Sequence, residues 1–130
     1  MKKINVVTLN LKNYGQFFTF SIHNKLFEPV TRYMLWKIHN SSRNRTLAFS
    51  TQRQYAYHLV YLFKYLDKNK QEWNKINSRD IRQIRDYLDQ IKDIDRNTIN
   101  RKTYIWVDFY QWCIDNFIEV DLVPNYKKLK

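Results

Sequence analysis

Between Pro29 and Pro124 the chain contains neither glycine nor proline, and its 130 residues hold only one glycine and two prolines in all. Glycine supplies the positive-φ turns of β architectures and proline ends or kinks helices, so a stretch lacking both runs most readily as helices joined by polar corners. Turn-rich sandwiches and barrels are set aside on that ground. With 44% hydrophobic and 17% aromatic residues, there is enough apolar material to fill one core at this length. The expected class is mainly α, a bundle of four to five helices.

Only the beginning departs from helical spacing. Val7, Leu9 and Leu11 alternate with Thr8 and Asn10, and Phe18, Phe20 and Ile22 alternate with Thr19 and Ser21, which is the period of a strand. Between them lie Lys12, Asn13, Tyr14 and the single glycine, Gly15, so a short β-hairpin is predicted. An isolated hairpin is marginal in water and must lean on the helices.

A first helix is predicted from Val30 or Thr31, with Val30, Tyr33, Met34 and Ile38 on one face; it fades into the polar, basic corner Asn40 to Arg45. The second should be capped by Ser50 or Thr51, with Gln54 completing a capping box, and buried along Tyr55, Leu59, Leu62, Phe63 and Leu66. Asn77 or Ser78 caps a third, with stripe Ile81, Ile84, Leu88 and Ile91. The fourth begins at Asp95 to Asn97, runs to about Phe117 and buries Ile99, Thr103, Trp106, Phe109, Tyr110 and Cys113. The four tryptophans are read as core, since aromatics on helical stripes usually are.

The net charge is +11, from 23 Lys and Arg against 12 Asp and Glu. Residues 1–65 hold ten basic side chains and one acidic, Glu28, so nine of the eleven excess charges lie in the first half. That excess favours a polyanionic partner over neutrality kept for solubility. Two helix openings concentrate it: Arg53 with Tyr57 on the second helix, and Arg101 with Lys102 on the fourth. A helix start adds free backbone N–H groups and a positive dipole end, so charge and hydrogen bonds together can hold a phosphate there. Gln52, Gln54 and Asn100 carry amides of the kind that read adenine, and Arg43, Arg45 and Lys64 add further cations. Arg79, Arg82 and Arg85 alternate with Asp86, Asp89 and Asp93, and are read as ion-pair partners on the surface.

Other chemistries find little footing. Cys113 is the only cysteine and His23, His39 and His58 have no ligand neighbours in sequence, so no metal, no cofactor and no small-molecule ligand are expected. Neither a glycine-rich phosphate loop nor a nucleophile paired with a base is evident. No apolar run approaches the roughly 18 residues of a membrane span, and the basic residues are spread over several helices; no membrane partner is expected, and a cytoplasmic setting fits the lone cysteine.

The segments Ser50-Thr51-Gln52-Arg53-Gln54-Tyr55, His58-Leu59 and Leu62-Phe63-Lys64-Tyr65-Leu66, then Trp73 and Ile76, Asp80-Ile81 with Tyr87-Leu88, and Asn97-Thr98-Ile99-Asn100-Arg101-Lys102 running into Phe109-Tyr110-Gln111-Trp112, occur in this order. Together they resemble the N-terminal core-binding domain of tyrosine recombinases and phage integrases, over roughly residues 30 to 120. The resemblance implies a SAM-like helical bundle forming half of a clamp around double-stranded DNA, with its second and fourth helices toward the major groove and other recombinase protomers alongside. It implies DNA-binding roles for Arg43, Arg45, Gln52, Arg53, Tyr57, Lys64, Asn100, Arg101 and Lys102. The family's catalytic tyrosine and its His-x-x-Arg element belong to a second domain: three residues after His23, His39 and His58 stand Leu26, Ser42 and Tyr61, so no catalytic residues and no enzymatic activity are expected of this stretch. Thr103 stands where the family usually has a larger apolar residue, and the hairpin is outside its common core.

The expected organisation is an N-terminal hairpin extension at 1–28, a DNA-binding helical domain at 29–122, and at 123–130 the start of a linker to a catalytic domain beyond this fragment. The competing reading is a helical protein–protein adaptor whose charge serves only solubility.

Overall fold

The alternating start of the chain pairs as predicted. In the computed structural model, which describes residues 3–12, 15–40 and 49–122, strands β1 (Ile4–Leu11) and β2 (Gly15–Ile22) form an antiparallel hairpin from Ile4↔Ile22 to Leu11↔Gly15. Gly15 sits at φ 72, in the left-handed region that favours glycine. A second turn follows at once: His23 and Asn24 both take positive φ, 52 and 66, as two-residue hairpin loops require. It brings the short β3 (Lys25–Leu26) onto β2, giving the sheet order β1-β2-β3. Two residues are too few to show alternation, and β3 is invisible in the sequence.

Helices α1 (Glu28–Asn40), α2 (Phe49–Lys68), α3 (Ser78–Asp86) and α4 (Arg96–Asp115) follow, and a π-helical stretch, Tyr87–Ile91, continues α3. The protein is thus mainly α, with a small sheet ahead of the helices. α1 starts earlier than predicted and takes Pro29 into its first turn, where the missing N–H costs nothing. α2 is described from Phe49 and is helical there already, so Ser50 and Thr51 lie inside it and do not cap it.

The chain divides into two compact units, residues 1–69 and 70–130. In the first, β2 is covered on both faces. Phe20 packs on Phe27 and on Phe63 of α2, with ring centroids 5.6 and 5.0 Å away. Thr19, on the opposite face of the strand, shares a 2.9 Å hydrogen bond with Thr31 of α1. Alternation alone would turn Thr19 and Ser21 to water, yet both are buried. The Thr31 hydroxyl also donates to Phe27 O, so a polar pair buried next to α1 keeps its hydrogen bonds. Val30, Tyr33, Met34 and Ile38 are buried as expected, whereas Trp36 is 42% exposed; with Tyr55 of α2 it flanks the Lys37 ammonium, 5.8 Å from each ring.

The second unit closes around aromatic side chains. Trp73 lies against Phe109 and Tyr110 of α4, and the Tyr110 hydroxyl donates to Trp73 O at 2.5 Å. Asn77 caps α3 with a full capping box: its side chain accepts from Asp80 N at 3.1 Å and Asp80 accepts from Asn77 N at 2.9 Å. The predicted α3 stripe holds through Ile81, Ile84 and Leu88 and then fails, because Ile91 is 70% exposed. The π turn is the reason. Its wider i→i+5 hydrogen bonding, seen from Lys92 N to Tyr87 O, adds a residue to the turn and rotates Ile91 off the face. On α4 the predicted stripe is buried throughout; Thr103 fits there by donating its hydroxyl to Ile99 O at 2.9 Å. The helix stops at Asp115, and Phe117, at φ 61, is almost wholly exposed.

Candidate nucleic-acid interface

The exposed side of α2 gathers three of the side chains singled out in the sequence. Arg53, Tyr57 and Lys64 fall within about 40° of one another around the helix axis at 100° per residue, and all three are exposed. The Arg53 guanidinium lies over the Tyr57 ring, 5.4 Å from its centroid, which holds a flexible cation in place without neutralising it. α2 has no acidic residue before Asp67, so no carboxylate on this helix lies near Arg53; Asp67 stands one turn beyond Lys64.

Beside this face lies an open groove of about 830 Å³. Its helical wall is Ser50, Arg53, Gln54, Tyr57 and His58 of α2; its other wall is Val6 and Thr8 of β1 with Phe18 of β2. No periodicity in the sequence links residues 6, 8 and 18 to residue 53, so this wall was beyond sequence reasoning. Gln52 does not share it. At 4% exposure its amide points into the protein, and a base-reading role is corrected: position 52 falls on the buried side of α2, about 100° from Arg53. Arg43 and Arg45 lie outside the described residues.

In the other unit α4 carries Asn100, Arg101 and Lys102 in three directions, since consecutive helical residues are about 100° apart. Arg101 is exposed, with Tyr104, 46% exposed, one turn on. Asn100 and Lys102 are half-buried, and burial pushes the Lys102 ammonium below its ordinary pKa of 10.5. The α4 opening differs from the expectation in a second way. Asp95 caps it, accepting from Thr98 N at 3.2 Å, so a carboxylate already occupies the place where a backbone-held phosphate would sit. Next to it Arg96 pairs with Asp89 at 3.3 Å. The cations that α4 offers a partner are therefore Arg101 and Lys102, one turn further along.

Against known protein families, residues 39–116 match the model of the phage integrase N-terminal SAM-like domain. The chain belongs to this family. A search of curated proteins and one of solved structures gave no match. The matched stretch of the integrase domain runs from the end of α1 to the end of α4 and takes in α2, α3 and the π turn, while the β-sheet precedes it. It is the family's N-terminal domain and not its catalytic one. Among the described residues of this integrase domain, no helix is long and apolar enough to cross a membrane.

Proposed function

We propose that the chain binds double-stranded DNA as the core-binding domain of a site-specific tyrosine recombinase, and so contributes to DNA integration or recombination without performing the chemistry itself. The observation that carries this reading is the Arg53–Tyr57 pair, exposed on α2 with no acidic residue on the helix before Asp67 and with Lys64 in line with it. Arg101 and Lys102 of α4 supply a second set of phosphate contacts, with Asn100 beside them. Contacts of this kind fix position on the duplex and carry little sequence information. Arg43 and Arg45, outside the described residues, are proposed as further phosphate contacts. Residues 29–122 form the DNA-binding domain, 1–28 an extension of it, and 123–130, also outside the described residues, the start of a linker; the setting is the cytoplasm.

The test is duplex binding by fluorescence anisotropy with single alanine variants. Arg53→Ala and Arg101→Ala are expected to weaken binding to any sequence, each by about three- to tenfold, as loss of a charge-assisted phosphate contact predicts. Arg82→Ala, on a helix whose arginines are interspersed with aspartates, is expected to change it by less than about twofold. Unchanged binding in both of the first two variants would overturn the proposal.

A second reading has one observation behind it. Phe117 and Ile114, at the end of α4, are 98% and 39% exposed, and large apolar side chains together on a surface often mark a protein contact. Within the proposed function this suits a neighbouring recombinase protomer. As a rival it suits an adaptor, which would be indifferent to DNA in the same assay.

A further inference from the structure

The groove that Arg53 borders has two chemically different walls. Val6, Thr8 and Phe18 share one face of the sheet, since Thr8 pairs with Phe18 and residues two apart on a strand point the same way. Phe18 is buried, Val6 half-buried and Thr8 exposed, so this wall is apolar at its floor and polar at its rim. Opposite stands a cation stacked on a phenol, with the exposed amide of Gln54 next to it. No lining residue is acidic, the sequence has no acidic residue before Glu28, and α2 has none before Asp67. An apolar floor beside a cationic rim complements a nucleotide backbone, in which the sugar presents C–H surface and the phosphodiester a full negative charge. The sheet lies ahead of the family match at residues 39–116, so membership of the family assigns it no role.

We propose that the N-terminal sheet is part of the DNA-binding surface: the groove between β1–β2 and α2 receives the sugar–phosphate backbone of one strand of duplex DNA, with sugar against the Val6 and Phe18 side and phosphate against Arg53. This rests on the DNA-binding reading of α2 and adds the sheet to it. The sheet then serves two ends at once. It covers the α2 core through Phe20 and Phe63, and it limits where along α2 a phosphate can lie.

The test compares two substitutions that add the same charge to the same strand on opposite faces. Thr8 lines the groove, while Asn5, also exposed, points to the other side of the sheet. In the full chain, with a duplex in about 0.1 M salt, charges more than about 10 Å apart are screened. Thr8→Glu is therefore expected to weaken binding about three- to tenfold more than Asn5→Glu does, and Thr8→Lys to tighten it relative to Asn5→Lys. Thermal melts by circular dichroism establish that each variant is folded; should Thr8→Glu not fold, the lysine pair carries the test alone. Equal effects at positions 5 and 8, with Arg53→Ala still weakening binding, would overturn the role of the sheet and leave the α2 reading intact. Unchanged binding in Arg53→Ala would remove both.

Discussion

Tyr110 shows how much a single side chain contributes here. Its ring is wholly buried and its hydroxyl donates to Trp73 O, tying the loop before α3 to α4. Burial first, and then the nearby Cys113 and Asp80, raise its pKa well above the ordinary 10.0. The sign follows directly: a raised pKa in the folded protein means that unfolding favours the phenolate, so stability is full below pH 10 and falls as pH rises above it. The phenolate also has no proton to donate to the Trp73 carbonyl. Tyr110→Phe is expected to lower stability by about 1–2 kcal/mol near neutral pH, since it leaves a buried acceptor unsatisfied, and to flatten the loss above pH 10. Urea melts at pH 7.5 and 10.5 check both; a variant with an unchanged alkaline slope would refute the account. The burial of Tyr110 was legible from its place in the Trp106, Phe109, Tyr110, Cys113 stripe, but its partner, 37 residues away, was not. Gln52 fails for the same kind of reason. Polarity suggested solvent, yet its position on α2 places it within the buried arc.

Among the elements, α3 depends most on its ends. It has nine residues, too short to persist on propensity, and its Asn77–Asp80 capping box satisfies donors that would otherwise be lost. Asn77→Ala is expected to cost about 1 kcal/mol and Asn77→Asp to restore most of it, read as shifts in denaturant midpoint at constant m. No shift in the alanine variant would mean the box is ornamental. This cap was readable because it is local in sequence. The π turn that follows was not, since the alternation of Leu88 and Ile91 fits an α-helix and nothing nearby says that an extra residue enters the turn. The opening of α2 is intermediate: the helix and its basic side were legible, but the adjoining sheet wall was not.

Over the whole chain, charge is distributed by halves, with nine of the eleven net positive charges in residues 1–65. If DNA binding draws on about four to six phosphates, the slope of log K against log salt should lie near −4 to −5 on B-DNA. A titration between two salt concentrations measures it. A nearly flat response would return the chain to the adaptor reading, in which the apolar end of α4 matters and the charge does not. The two compact units, 1–69 and 70–130, each carry part of the proposed contact surface, Arg53 with Tyr57 and Lys64 in one, Arg101 with Lys102 in the other.

What the sequence determined by itself was whatever repeats at short range: four helices from apolar spacing, a hairpin from alternation and a glycine, a cap at Asn77 or Ser78, and the basic opening of α2. Its ordered motifs also pointed to the integrase family that residues 39–116 match. Only the tertiary structure decided which polar residues are inside, how Arg53 is held over Tyr57, and that β1 and β2 form a wall beside it. Burial and grooves arise from contacts between residues far apart in the chain, and no local pattern encodes which distant side chains will meet.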